Sequence, residues 1–220
     1  MPEPGHQVDQ VARILLADDH ELIRSGLRQL LLDEGAGHEI GEASTAQQTL
    51  EMLRAGTWDL LILDINLPDR SGLDILKHIR SGHPGTRILM LSGFPERQYA
   101  RNALRGGARG YLSKASASEE LVKAVTAILR GNRYVSASLA ELLVDDMDGH
   151  ADQPIHTQLS EREFQVLCKI ATGQSVSAIA DELCLSAKTV STYRSRVLEK
   201  MKFATNADIT SYALRNGLMQ

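Results

Sequence analysis

Trp58-Asp59-Leu60-Leu61-Ile62-Leu63-Asp64 is an apolar run that ends on a carboxylate and gives way to Asn66-Leu67-Pro68-Asp69. Four consecutive aliphatic residues with no polar alternation predict a strand covered on both faces, as in a parallel sheet flanked by helices. The turn-forming residues that follow end the strand at Asp64. The same pattern recurs on either side. Arg13 to Ala17 is apolar and ends in Asp18-Asp19, Arg87 to Leu91 ends at Ser92, and the short run Gly110 to Leu112 stops just before Lys114. His38 to Ala43 is a weaker strand of the same set.

Between these strands the apolar spacing changes from continuous to three-or-four. Leu22, Ile23, Leu27, Leu30 and Leu31 predict a helix after the first strand, and Thr45 to Ala55 a second. Ser71 to Ser81 carries Leu73, Ile75, Leu76 and Ile79; further helices are expected near Gln98 to Arg105 and over Ser118 to Arg130. Strand and helix in strict alternation, with right-handed crossovers, give a doubly wound five-stranded parallel α/β sheet. Ligand chemistry in such sheets gathers at the carboxyl ends of the strands. Those ends hold Asp18, Asp19, Asp64, Ser92 and Lys114.

Singly, each residue has a structural reading: a helix cap for Asp18 or Asp19, a turn residue for Asp64, a loop serine for Ser92, a solvated charge for Lys114. Jointly placed at successive strand ends they form an acidic pocket with one lysine and one hydroxyl. Three neighbouring carboxylates repel one another, and a hard cation with oxygen ligands, Mg2+, relieves that repulsion. A carboxylate beside such a cation can attack phosphorus to form an acyl phosphate, with Lys114 and the Ser92 hydroxyl contacting the phosphoryl oxygens.

The chain of 220 residues suits two domains, one small. Hydrophobic residues make up 43% and charged residues 24%, an ordinary globular balance, while aromatics are only 4%. From Thr157 onward eight Lys and Arg stand against six acids, a balance of +2, and the first 156 residues hold sixteen basic against twenty-two acidic, −6. An acidic front and a mildly basic tail fit a regulator joined to a nucleic-acid module. No apolar run is long enough to span a bilayer and Met1 to Val11 does not read as a signal peptide, so a cytoplasmic protein with no membrane partner is expected. Cys168 and Cys184 lack metal-ligand spacing and read as small buried hydrophobes. Ser138 to Val144 could form a short helix, and Asp145 to Pro154 is acidic, bears Gly and Pro, and reads as linker.

After the linker the pattern is helical to the end. Ser160 followed by Glu163 is a capping box ahead of Phe164, Val166, Leu167 and Ile170. A short helix begins at Ser175 or Val176 and runs to Leu183; Cys184-Leu185-Ser186 turns the chain, and Lys188 to Met201 follows with Ser186 as cap. A short helix, a tight turn and a longer basic helix are helix-turn-helix geometry, the second helix entering the major groove. A basic amphipathic helix taken alone is more often a solvated face. The last helix is expected near Ala207 to Arg215.

Leu16-Ala-Asp-Asp-His20, Leu63-Asp-Ile-Asn-Leu-Pro-Asp69-Arg-Ser-Gly72, Leu91-Ser-Gly93 and Gly110-Tyr-Leu-Ser-Lys114 resemble the receiver domains of two-component response regulators. Leu159-Ser-Glu-Arg-Glu163, Gly173, Ile179-Ala180, Leu185-Ser186, Lys188-Thr-Val190 and Lys200-Met201 resemble the helix-turn-helix of the NarL/FixJ type, also called LuxR-type. The resemblance implies a CheY-like receiver over 11–131, a linker over 132–157 and an all-α four-helix helix-turn-helix domain over 158–220. It implies that a sensor histidine kinase phosphorylates Asp64, and that Asp19, Asp64 and the Asn66 backbone carbonyl hold Mg2+, with Asp18 acting through the ion's water shell. Lys114 would bind the phosphoryl group. Ser92 and Tyr111 would be the switch pair, the hydroxyl moving toward the phosphoryl group as the ring swings inward.

In the second domain the resemblance implies that Lys188, Thr189, Arg194, Arg196 and Lys200 contact the phosphates of double-stranded DNA. Ser191, Thr192 and Ser195 would lie nearest the base edges, and the last helix would serve as a dimer contact. Phosphorylation would then control homodimerisation and transcription, without enzymatic turnover. Two positions depart from the family pattern in the helix, Ser191 where Lys is frequent and Tyr193 where His is frequent, so operator preference does not carry over. Ala115 stands where Pro commonly follows the lysine, which makes the cis peptide usual there more costly. Two rival readings remain. An α/β phosphatase using Asp64 as a turnover nucleophile would need a cap insertion, and no insertion of that size is present. A receiver kept only as a scaffold is opposed by the intact acids and Lys114.

Overall fold

The computed structural model describes residues 11–34, 37–93, 96–141, 154–183 and 185–218. The chain divides into two compact units, Met1–His150 and Ala151–Gln220. The first holds β1 (Arg13–Ala17), α1 (Glu21–Asp33), β2 (Glu39–Ala43), α2 (Ala46–Ala55), β3 (Leu60–Asp64), α3 (Gly72–Gly82), β4 (Arg87–Ser92), α4 (Glu96–Arg105), β5 (Gly110–Ser113) and α5 (Ala117–Leu129). The five strands form one sheet in the order β2-β1-β3-β4-β5, every pairing parallel. The alternation of continuous apolar runs with helical spacing therefore yields the expected doubly wound sheet.

β3 is central, and all five of its residues are buried. Side chains of successive strand residues point to opposite faces, so each strand supplies two cores. Ile14, Leu16, Leu60, Ile62, Leu89, Leu91 and Leu112 pack with Leu27 and Leu31 of α1 and Leu121, Ala124, Val125 and Ile128 of α5. Their neighbours Leu15, Leu61, Leu63, Ile88, Met90 and Tyr111 are equally buried on the other face. Burial of these aliphatic side chains, each worth about 1.5–3 kcal/mol, is the main favourable contribution to this unit.

Strand β3 begins two residues later than the apolar run suggests. The Trp58 indole Nε1 donates to Met52 O at 3.0 Å, and the Arg13 guanidinium stacks 4.7 Å above its ring, so this residue closes the strand's entrance. Tyr134 forms a parallel bridge to Gly110 and packs on the α1/α5 core, while Ser136 and Leu139 are buried and residues 137–141 are helical. The rest of the helix expected up to Val144, and the stretch 145–153, lie outside the described residues.

The second unit has a 3-10 turn (Ile155–Gln158) and four helices: α6 (Glu161–Ala171), α7 (Val176–Glu182), α8 (Ala187–Met201) and α9 (Asn206–Arg215). Each helix starts on a hydroxyl cap, namely Ser160, Ser175, Ser186 and Thr205. The Ser160–Glu163 capping box is formed as expected. Gly173, at φ 83°, ends α6 by directing its N–H to Ile170 O while Gln174 N–H reaches Lys169 O, a left-handed closure that favours glycine. Phe164, Val166, Leu167, Ile170, Ile179, Val190, Val197, Met201, Ile209 and Ala213 are the buried apolar residues at the centre. Burial holds the half-buried Cys168 as an inert thiol, its pKa pushed up to about 12, and Cys184 is outside the described residues. Among the described residues no helix is long and apolar enough to cross a membrane.

One glycine ties the fold to the pocket above the sheet. A Cβ on Gly72 would sit 2.2 Å from the Asp64 carbonyl oxygen, and the Gly72 N–H donates to Ile65 O at 2.8 Å. Gly72→Ala is expected to lower the stability of the first unit by about 1–3 kcal/mol in urea denaturation. Gly26→Ala in α1, where a Cβ meets nothing within 4 Å, should instead raise it by about 0.5–1 kcal/mol. A neutral Gly72→Ala would show that the close approach does not matter.

Candidate functional site

The strand register brings the polar strand ends to one edge. Ala17 pairs with Leu63, Asp64 with Leu91 and Ser92 with Ser113, so the residues just past β1, at the end of β3 and just past β5 emerge side by side. Lys114 Nζ lies 2.7 Å from Asp18 Oδ2 and 2.8 Å from Asp64 Oδ2. Asp64 is 0% exposed, Asp18 is buried beside it, and only Asp19 of the three acids reaches solvent. Lys114 is anchored by its own backbone, its N–H donating to Ser92 O at 2.7 Å. Among the described residues no peptide bond is cis, so the Lys114–Ala115 link is trans.

Two carboxylates and an ammonium buried together shift one another. Burial raises the Asp64 pKa to about 6; the Lys114 charge and the Asn66 backbone N–H oppose this, and the neighbouring Asp18 charge reinforces it. Burial alone would depress Lys114, but Asp64 and Asp18 hold its pKa above the ordinary lysine value. Asp64 Oδ2 faces Lys114, whereas Asp64 Oδ1 is buried without a hydrogen-bond partner. Such an atom calls for a cation or an electrophile. The ligand atoms of Asp18, Asp19, His20 and Asp64 all lie within 4.8 Å of one another, so these residues fit a divalent cation.

Ser92 closes β4 and is fully buried. Tyr111, paired with Met90, is also fully buried. Asn66 lies half-buried two residues beyond Asp64. Two residues were not singled out from the sequence. His20 Nδ1 lies 2.7 Å from Asp19 Oδ1 and 3.3 Å from Asp18 Oδ1. Asp69 accepts the Ala46 and Gln47 N–H groups at 2.7 and 2.8 Å, tying the loop after β3 to the start of α2. The signal for Asp69 was the acid five residues past a strand end, but its partners lie over twenty residues away.

In the second unit, α8 buries Val190, Val197 and Met201 and exposes Lys188, Ser191, Thr192, Ser195 and Arg196 as one stripe at helical spacing. The other three DNA-contact candidates also bond within the unit. Thr189 is half-buried and bonds the capping Ser186 hydroxyl at 2.7 Å. Arg194 Nε donates to Asn206 Oδ1 at 2.6 Å, and Lys200 Nζ pairs with the buried Glu163 at 2.6 Å. Burial works against Glu163 ionisation, but Lys200 and Ser160 hold its carboxyl below the usual range.

A sheet of this order, with acids and a lysine over its carboxyl edge, is receiver architecture, and a polar stripe on the second helix of a helix-turn-helix is that of a DNA reader. The two in one chain define the class of response regulators. The chain belongs to this family: residues 14–126 match the response regulator receiver domain and residues 157–213 match the bacterial regulatory proteins of the luxR family. The response regulator UvrY of Escherichia coli O6:H1 is 34% identical over 206 residues, 93% of this chain and 94% of UvrY. The response regulator GacA of Pseudomonas protegens is 33% identical over 208 residues, 94% and 97% of the two chains. RcsB of Salmonella enterica serovar Typhimurium, solved bound to the promoter rprA with the phosphomimetic BeF3−, superposes with a TM-score of 0.63 at 25% identity, covering 92% of this chain and 98% of RcsB. The chain is thus a response regulator with a receiver and a LuxR-type DNA-binding domain, a regulator of transcription.

The raised Asp64 pKa has a stability consequence with a definite sign. An aspartate whose folded pKa exceeds its unfolded value of about 3.9 destabilises the fold increasingly as pH rises between the two, and by a constant amount above the upper one. Asp64→Asn in EDTA is therefore expected to stabilise the receiver by at most about 3 kcal/mol at pH 8 and by about half of that at pH 5. Urea denaturation at the two pH values measures it. A variant less stable than wild type at pH 8 would show that the Lys114 pairing outweighs the burial cost.

Proposed function

We propose that Asp64 is the phosphoacceptor of a sensor histidine kinase and that its phosphorylation controls homodimerisation and DNA binding. The observation that carries this reading is the buried Asp64 Oδ1 without a hydrogen bond, on a carboxylate whose Oδ2 shares Lys114 with Asp18 at the carboxyl edge of the sheet. In the transfer, an Asp64 carboxylate oxygen forms a bond to phosphorus as the bond from phosphorus to the kinase imidazole nitrogen breaks. The released nitrogen keeps the electron pair and takes up a proton. Asp64 thereby exchanges its carboxylate charge for a phosphoryl dianion. Lys114 Nζ follows that charge onto a phosphoryl oxygen, and the Ser92 hydroxyl donates to another.

Asp19, Asp64 and the Asn66 backbone carbonyl would hold Mg2+, with Asp18 engaged through its water shell; the bound ion neutralises charge on the phosphoryl oxygens. The drawing-in of Ser92 alters the packing around Tyr111, whose fully buried ring couples the pocket to β5 and α4. The protein turns over no substrate in this reading, and it acts in the cytoplasm. The receiver spans 11–131, the linker 132–157 and the DNA-binding domain 158–220.

On double-stranded DNA, Lys188 and Arg196 contact phosphates, and Ser191, Thr192 and Ser195 face base edges. Thr189, Arg194 and Lys200 border the same surface from positions fixed by Ser186, Asn206 and Glu163. With few cations on the exposed stripe a single module binds weakly, so pairing two modules on two half-sites supplies the affinity.

Incubation with Mg2+ and acetyl phosphate should add a single phosphoryl group by intact mass, consumed stoichiometrically. Asp64→Asn should show none, and light scattering should show dimer formation only in the modified wild type. No adduct, or an adduct retained in Asp64→Asn, would overturn the assignment. Lys188→Ala should weaken DNA binding uniformly across sequences and reduce the slope of log affinity against log salt by about 1.

A further inference from the structure

The acidic pocket contains one donor that is not an oxygen. His20 follows Asp18-Asp19 directly, and its backbone N–H donates to Asp18 Oδ1 at 2.8 Å, which fixes the turn and carries the imidazole over the acids. Nδ1 stands 2.7 Å from Asp19 Oδ1. At that distance the imidazole nitrogen and the carboxylate oxygen are in direct polar contact. The side chain is 59% exposed and its ring lies at the mouth of the acid cluster.

We infer that His20 is a nitrogen ligand of the pocket, which therefore prefers a borderline transition ion such as Ni2+ to Mg2+; this rests on the reading of the pocket as a divalent-cation site. Bonds of about 2.0–2.2 Å to imidazole nitrogen and carboxylate oxygen place opposite ligands a little over 4 Å apart. The donor atoms of Asp18, Asp19, His20 and Asp64 lie within 4.8 Å of one another, so small side-chain rotations bring them onto one ion. Asp64 Oδ1 supplies an independent sign, being a buried carboxylate oxygen that no hydrogen bond satisfies. Charge agrees: three carboxylates against Lys114 leave a deficit of two when all are ionised, which one divalent ion cancels.

The preference follows from ligand chemistry. Mg2+ takes oxygen and gains little from an imidazole, whereas Ni2+, Co2+ and Zn2+ bind imidazole well, and affinity for mixed nitrogen and oxygen sites rises from Mn2+ to Cu2+. Such an ion would compete with Mg2+ for Asp19 and Asp64.

Isothermal titration of the full chain with NiCl2 and, separately, with MgCl2 tests this on wild type, His20→Ala, His20→Asn and Asp64→Asn, with circular dichroism to show that each variant is folded. The expected result is tighter Ni2+ than Mg2+ binding in wild type. His20→Ala should weaken Ni2+ by about tenfold or more, the scale on which even outer partners of a metal site act. It should leave Mg2+ nearly unchanged, and His20→Asn, which keeps a polar side chain, should not restore Ni2+. Mg2+ should displace Ni2+, and Asp64→Asn should weaken both, which separates the pocket from other histidines. Equal Ni2+ affinity in wild type and His20→Ala, with Mg2+ still bound, overturns the inference alone. Loss of both ions in equal proportion in His20→Ala also overturns it, making His20 a positioning residue for Asp19. Wild type that binds neither ion overturns the pocket reading as well.

Discussion

A carboxylate buried at the end of the central strand is the constraint around which the receiver is arranged. Asp64 is fully enclosed, yet its charge is incompletely answered: Lys114 pairs with Oδ2 and the Asn66 N–H assists, while Oδ1 lacks a hydrogen bond. An isolated buried carboxylate costs several kcal/mol. The fold tolerates it because Lys114 crosses from the end of β5 to bridge Asp18 and Asp64. Stability is thereby held in reserve for a reaction. A phosphoryl group or a cation arriving at Asp64 removes a cost already present, and the change in charge is transmitted to whatever holds Lys114 and Ser92.

The surrounding architecture serves that placement. Only a parallel sheet sets several strand ends on one edge, and the register from Ala17–Leu63 through Ser92–Ser113 levels them. Gly72 lets the loop after β3 fold back against the Asp64 carbonyl, and Asp69 pins the same loop to the start of α2. The helix-turn-helix unit uses the opposite economy. Its polar residues on α8 are divided between an exposed stripe and three side chains, Thr189, Lys200 and Arg194, bonded to Ser186, Glu163 and Asn206. An isolated basic helix would show no such division.

Much of this was legible because it depends on short-range pattern. The continuous run Leu60 to Leu63 could only be a strand covered twice, the three-or-four spacing of Leu73, Ile75, Leu76 and Ile79 could only be a helix packed on one face, and Ser160 with Glu163 announced its own cap. The acids, Ser92 and Lys114 were legible as a set because each stands at a strand end. The start of β3 was misjudged because Trp58 is hydrophobic like a strand residue but is held by Met52 and Arg13 instead. The hydrogen bond of Arg194 to Asn206 and the ion pair of Lys200 with Glu163 were not legible, because their partners lie 12 and 37 residues away in the chain.

The sequence by itself therefore determined the order and kind of the elements, the family, and the residues brought to each strand end, since periodicity and end position are local properties of the chain. Only the tertiary structure decided which of those residues touch. That Lys114 bridges Asp18 and Asp64, that Asp64 Oδ1 is left without a hydrogen bond, that His20 leans on Asp19, and that Tyr111 is buried all depend on distances across strands. Those distances are set by sheet register and side-chain packing, and a few tenths of an ångström there separate an ion pair from a solvated charge.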